Sequence, residues 1–132
     1  VARVLIVDDE QQTVDLISRM VSLIGHEPLQ ANGGQAAMTL LGDEQPDLVL
    51  LDLMMPEIDG YETMRRMRSL PNTAEIPIVV VTASQELDVE ERVADAGGDG
   101  VYYKPFSMAM LTDAIEKHVI DGEAAPMSDQ AA

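Results

Sequence analysis

Hydrophobic and polar positions alternate in blocks along this chain, and the blocks change period as they go. Short apolar runs at Arg3–Val7, Asp47–Leu51, Ile76–Val81 and Gly100–Tyr103 read as strands, with a weaker one at Glu27–Gln30. The valines of Ile76–Val81 show no alternation, which predicts burial on both faces, as in a parallel sheet. Between these runs the period lengthens. Thr13–Ile24 carries apolar residues at 13/14, 16/17, 20/21 and 23/24, an amphipathic helical spacing closed by Gly25. Asn32 is placed to cap a helix through Leu41, ended by Gly42. Further helices are predicted over Tyr61–Leu70, with Pro71 just past the end, and over Gln85–Ala96, ended by Gly97-Gly98. A last one, capped by Ser107, runs to about Ile120. Five strand–helix repeats with short connections predict a doubly wound α/β domain with a parallel sheet, spanning residues 1–120.

Length and composition narrow the class. At 132 residues the chain suits one domain with a real core, and with one Phe, three Tyr and no Trp that core must be aliphatic. No cysteine is present, which excludes disulfides and thiolate metal sites. The apolar runs fall far short of the ~20 residues that span a bilayer, so no membrane association and a cytoplasmic location are expected. Asp121–Ala132, rich in Ala and acid without periodicity, reads as a disordered tail or linker. The net charge of −16 comes from 24 acids against 8 bases and repels phosphate backbones, which argues against direct nucleic-acid binding. It fits either a well-solvated acidic domain or adaptation to high salt.

Charge matters most at the strand ends. Val4–Val7 runs into Asp8-Asp9, Leu48–Leu51 into Asp52, Ile78–Val81 into Thr82, and Val101–Tyr103 into Lys104-Pro105. In a parallel α/β sheet these ends converge on one edge, where ligands bind. Three carboxylates meeting there repel one another unless a hard cation joins them, and Mg²⁺ takes such oxygen ligands together with phosphoryl oxygens. Asp52, alone at the end of the expected central strand, suits a nucleophile forming an aspartyl phosphate. Lys104 supplies a positive point charge and Thr82 a hydroxyl donor. Each residue also has a plainer role. Asp8 or Asp9 could cap the first helix, Thr82 with Gln85 fits a capping box, and Lys104 could form a surface ion pair. What these separate roles leave unexplained is the coincidence at four strand ends. His26 and His118 have no acidic or nucleophilic sequence neighbours and are expected to be solvated.

In "VLIVDDE", "LVLLDLMMPEIDGYE", "IPIVVVTAS" and "GGDGVYYKPFS" the chain resembles the receiver domain of two-component response regulators, over about residues 2–120. The resemblance implies a flavodoxin-like sheet of order 2-1-3-4-5. It implies Asp52 as phosphoacceptor, fed by a histidine kinase, a phosphotransfer protein or a small phosphodonor. Mg²⁺ (or Mn²⁺ in its place) would be held directly by Asp9, largely through water by Asp8, and by Asp52 and the backbone carbonyl of Met54. Thr82 matches the switch hydroxyl, Lys104 the ion-pairing lysine, and Pro105 a proline usually preceded by a cis peptide. Met54 and Ser84 match positions that tune the lifetime of the aspartyl phosphate. One position departs: Val101 stands where the family usually has Tyr or Phe, so either the aromatic coupling is absent, the preferred reading, or Tyr103, two residues on, is a substitute that takes part of it. The expected partners are the kinase or phosphotransfer protein, a downstream effector or fused domain, and a second copy in a phosphorylation-linked homodimer. A receiver fold that binds partners without phosphorylation is the alternative. An aspartate-nucleophile phosphatase is excluded by Met54, which occupies the place of its general acid, and flavin phosphate binding by the acids at the first strand end.

Overall fold

The computed structural model describes residues 1–119. In chain order the elements are β1 (Arg3–Val7), α1 (Gln11–Leu23), β2 (Glu27–Ala31), α2 (Gly34–Leu41), β3 (Leu48–Leu51), α3 (Gly60–Arg68), β4 (Ile78–Thr82), α4 (Val89–Ala96), β5 (Gly100–Tyr103) and α5 (Met108–His118). The strands form one parallel sheet of order β2-β1-β3-β4-β5, the flavodoxin-like arrangement. Its central strands are buried on both faces, as the unbroken valines of β4 require.

Alternate strand residues feed two cores. Leu5, Val7, Val49, Leu51, Ile78 and Val80 pack against α2, α3 and α4 through Leu41, Met64, Met67 and Val93. Val4, Ile6, Leu48, Leu50, Val79 and Val81 pack against α1 and α5 through Val14, Ile17, Val21 and Leu111. Burial of one such side chain contributes about 1.5–3 kcal/mol, so both faces of the sheet are firmly covered.

Four local expectations need correction. Asn32 does not cap α2: its amide donates to Gln11 Oε1, and the helix starts at Gly34, whose missing Cβ leaves room for Thr63 and the Ile58 carbonyl. In α1 the apolar stripe is narrower than its spacing suggested, since Leu16 and Leu23 face solvent while Ser18 is buried and accepts from Gln30. Helix α3 stops at Arg68 because a turn begins at Ser69, whose amide reaches back to Arg65 and Arg66. Helix α4 begins at Val89, not Gln85. Ser84 N donates to Thr82 Oγ1 (3.1 Å) and Glu86 N to Ser84 Oγ (3.4 Å), and such side chain–backbone bonds compete with helical ones. The expected capping box from Thr82 therefore does not form; Asp88 precedes the helix without a side-chain cap. Ser107 does cap α5, accepting from Met110 N. The expected tail, 121–132, lies outside the described residues.

Candidate functional site

Strands β1 and β3 end side by side, with Val7 paired to Leu51, so Asp8 and Asp52 emerge together. Carboxylate oxygens of Asp8, Asp9 and Asp52 lie within 4.8 Å of one another. Asp8 and Asp52 are buried and Asp9 is exposed. Neither Asp8 nor Asp9 caps α1, whose N-cap is Glu10; Asp8 Oδ1 instead accepts from Glu10 N (2.9 Å).

From β5, Lys104 reaches across the sheet edge. Its Nζ donates to Asp8 Oδ2 (2.9 Å) and lies 3.8 Å from Asp52 Oδ1. It is a part-buried cation, not a surface pair. Its backbone N–H bonds to the Thr82 carbonyl, which ties the ends of β4 and β5 together. The Lys104–Pro105 peptide is cis.

Electrostatics set the state of the acceptor position. Burial and the neighbouring Asp8 carboxylate push Asp52 up to about 6, while Lys104 and the amides of Met54 and Leu53 pull the other way. For Lys104 burial works against the charge, but the bond to Asp8 and the field of Asp52 outweigh it and hold the ammonium above its ordinary value. One ammonium thus bridges the two buried acids. The donor set is all oxygen, two of its members are buried, and they converge on one point, which suits a hard divalent cation.

Thr82 is fully buried at the end of β4, its oxygen accepting from Ser84 N. Met54 is exposed, and with Ser84 it lines a cleft of about 620 Å³ beside the acid cluster, shared with Tyr61, Glu86 and Arg92. Val101 packs against the core on the α4 side. Tyr103 pairs with Thr82 in register, and its hydroxyl donates to Glu90 of α4 (3.1 Å). Tyr102 points to the opposite face, edge-on to Phe106 and bonded to Asp113; burial, then that bond, push its hydroxyl up to about 12.

Sequence reasoning missed three features. Arg92 lies 4.3 Å over the Tyr61 ring, a pairing between helices that no local pattern signals. His26 is not simply solvated: half-buried, its Nδ1 accepts from Ala2 N (2.9 Å). His118 is half-buried too, against Gly100.

Residues 4–116 match the family described as the response regulator receiver domain. The chain belongs to this family. The receiver is 40% identical over 111 residues to response regulator MprA of Mycolicibacterium vanbaalenii, covering 83% of this chain and 46% of that protein. It is 32% identical over 117 residues to sporulation initiation phosphotransferase F of Bacillus subtilis, covering 89% of this chain and 93% of that one. The chain spans about half the length of the first curated relatives it matches, the Bacillus protein being an exception. Among solved structures it superposes with TM-score 0.82 and 25% identity on the receiver domain of sensor histidine kinase PA1611 from Pseudomonas aeruginosa, which has a magnesium ion coordinated in its active-site cleft. The overlap covers 89% of this chain and 97% of that one. Among the described residues, no helix of this receiver is long and apolar enough to cross a membrane.

Proposed function

We propose that this receiver is a Mg²⁺-dependent phosphoacceptor switch in which Asp52 takes a phosphoryl group from a phosphohistidine of a sensor kinase or phosphotransfer protein, or from a small phosphodonor. The buried Asp8–Asp52 pair bridged by Lys104, with Asp9 beside it, carries this reading. A carboxylate oxygen of Asp52 attacks phosphorus. The P–N bond breaks, and its electron pair stays on the donor imidazole, which leaves neutral because its other nitrogen already bears the proton. Lys104 holds one flank of the phosphoryl oxygens, and Thr82 turns its hydroxyl toward another. Asp8, Asp9, Asp52 and the Met54 carbonyl would hold Mg²⁺ (or Mn²⁺), which neutralises charge on the transferred group. Met54 and Ser84 flank the site and set the access of the water that later hydrolyses the aspartyl phosphate.

Phosphorylation shifts an equilibrium between two arrangements of the surface formed by α4, β5 and α5. That surface engages a downstream effector, a fused domain or a second copy. The acidic charge argues against direct nucleic-acid contact, and the chemistry belongs to the cytoplasm. A second reading, a receiver that binds partners without phosphorylation, is favoured only by the apolar Val101.

The test is intact mass after incubation with acetyl phosphate, with and without Mg²⁺, on the wild type and Asp52→Asn. A Mg²⁺-dependent gain of one phosphoryl group, absent in the variant, is expected. No gain on the wild type moves the assignment to the phosphorylation-independent module.

A further inference from the structure

We propose that Arg92 is the positioning residue that couples the acceptor pocket to helices α3 and α4. A continuous line of contacts leads to it. Ser84 N donates to Thr82 Oγ1 (3.1 Å), and Glu86 N donates to Ser84 Oγ (3.4 Å). Arg92 Nη1 donates to Glu86 Oε1 (3.0 Å), and the guanidinium lies over Tyr61 of α3. Four residues, the first two linked through their backbone amides, thus join the switch hydroxyl to two helices, and all four line one cleft.

Charge makes Arg92 the residue on which this line depends. Between Ala83 and Asp99 it is the sole basic side chain, against Glu86, Asp88, Glu90, Glu91, Asp95 and Asp99. Nothing else in that stretch can hold Glu86 or meet the face of Tyr61 as a cation. The rest of the loop has few anchors: Leu87 is fully exposed and Asp88 makes no cap. Each link is also weak, an exposed ion pair and a cation–π contact at the surface. Weak links in series suit a switch, because drawing the Thr82 hydroxyl away from Ser84 is enough to release the next. This coupling rests on the phosphoacceptor reading, since it needs Thr82 to move toward a group on Asp52.

The test is amide hydrogen exchange over residues 83–96 in Mg²⁺, with and without beryllofluoride, which mimics a phosphoryl group on a carboxylate. The variants are Arg92→Gln, Arg92→Lys, Tyr61→Leu and Tyr61→Phe, with phosphoryl gain followed by mass in parallel. In the wild type, beryllofluoride should change exchange across the loop and the first turn of α4. Arg92→Gln and Tyr61→Leu should exchange roughly three- to tenfold faster at rest and lose more than half of the beryllofluoride-dependent difference. Arg92→Lys and Tyr61→Phe, which keep the charge and the ring face, should retain it. A wild-type difference in Arg92→Gln, or an equal loss in Arg92→Lys, overturns the coupling while a normal phosphoryl gain leaves the acceptor reading intact. No phosphoryl gain on the wild type overturns both.

Discussion

Helices α3 and α4 follow the two strands that carry the acceptor and the switch hydroxyl, and they are held in opposite ways. Asp59 caps α3, accepting from Glu62 N at 2.9 Å, and Thr63 Oγ1 donates back to the Asp59 carbonyl. Acid sits in its first turn and arginines in its last, as the helix dipole favours. Arg68, at its end, donates to the carbonyls of Ala74, Ile76 and Gly97 and pairs with Asp99. Helix α4 begins late and uncapped, carries Asp95 near its C-terminus, and has no basic residue in its last turn. Its C-terminal end is tied through Gly97 to Arg68 of α3, while its N-terminal end, nearest Thr82, is held by buried Val89, by Glu90 accepting from Tyr103 and by Arg92 over Tyr61. The helix behind the acceptor is thus capped at its start, whereas the helix beyond the switch hydroxyl begins without a side-chain cap. The C-terminal end of α4 is closed by Gly97 in the left-handed region, so any weakness lies at its uncapped start.

The strongest way to break this contrast is at Gly60, the first residue of α3. A Cβ there would lie 2.4 Å from the Asp52 carbonyl oxygen and 2.7 Å from Leu53 Cα, both backbone atoms that cannot yield cheaply. Gly60→Ala should cost about 2–3 kcal/mol in urea denaturation, the upper range for overpacking, and should slow phosphoryl gain by displacing the end of β3. A loss below about 0.5 kcal/mol, the level of an ordinary surface change, would mean that α3 is no more fixed than α4.

A second effect belongs to the acid cluster. The folded chain holds Asp52 at about 6, above its ordinary value of 3.8, so between these values the folded state binds the proton that the unfolded state has lost. Stability must then fall as pH rises through this window and stay lower above it. The full penalty is up to about 3 kcal/mol, from roughly two units at 1.36 kcal/mol each. In Mg²⁺-free buffer, Asp52→Asn should therefore gain stability over the wild type as pH rises from 5 to 7. Adding Mg²⁺ should narrow the gap from the wild-type side, because a cation bound only by the folded state stabilises it. A difference that does not change with pH would show that Lys104 already neutralises the cluster.

Much of this was legible in the chain, for physical reasons. Strand ends are marked by abrupt changes from apolar to polar residues, so the convergence of Asp8, Asp9, Asp52 and Lys104 follows once the sheet is parallel. The valine run of β4 and the Ser107 cap are local signals, and both hold in the structure. What failed was decided by competition between partners. Asn32 is a good cap residue that found Gln11 instead, and before α4 the amides of Ser84 and Glu86 go to the Thr82 and Ser84 hydroxyls. The Arg92–Tyr61 contact joins residues of two helices and leaves no trace in any periodicity.

The smallest effect tests the contrast most directly, because it compares like with like. Asp59 and Asp88 occupy the same position, the residue before α3 and before α4, yet only the Asp59 side chain accepts from a backbone N–H of its helix. Removing a working cap costs about 1 kcal/mol, so Asp59→Ala should lower stability by that amount. Asp88→Ala should cost no more than a few tenths, retaining only the loss of one acid near a helix N-terminus. Urea denaturation of the two variants side by side, at fixed pH and salt, removes differences in charge from the comparison. Equal costs would mean that Asp88 caps α4 in solution, and the first turn of that helix would then be as firmly built as that of α3. A gap of about half a kcal/mol or more would place the weak end of α4 beside Thr82, where small changes in contact energy are enough to move it.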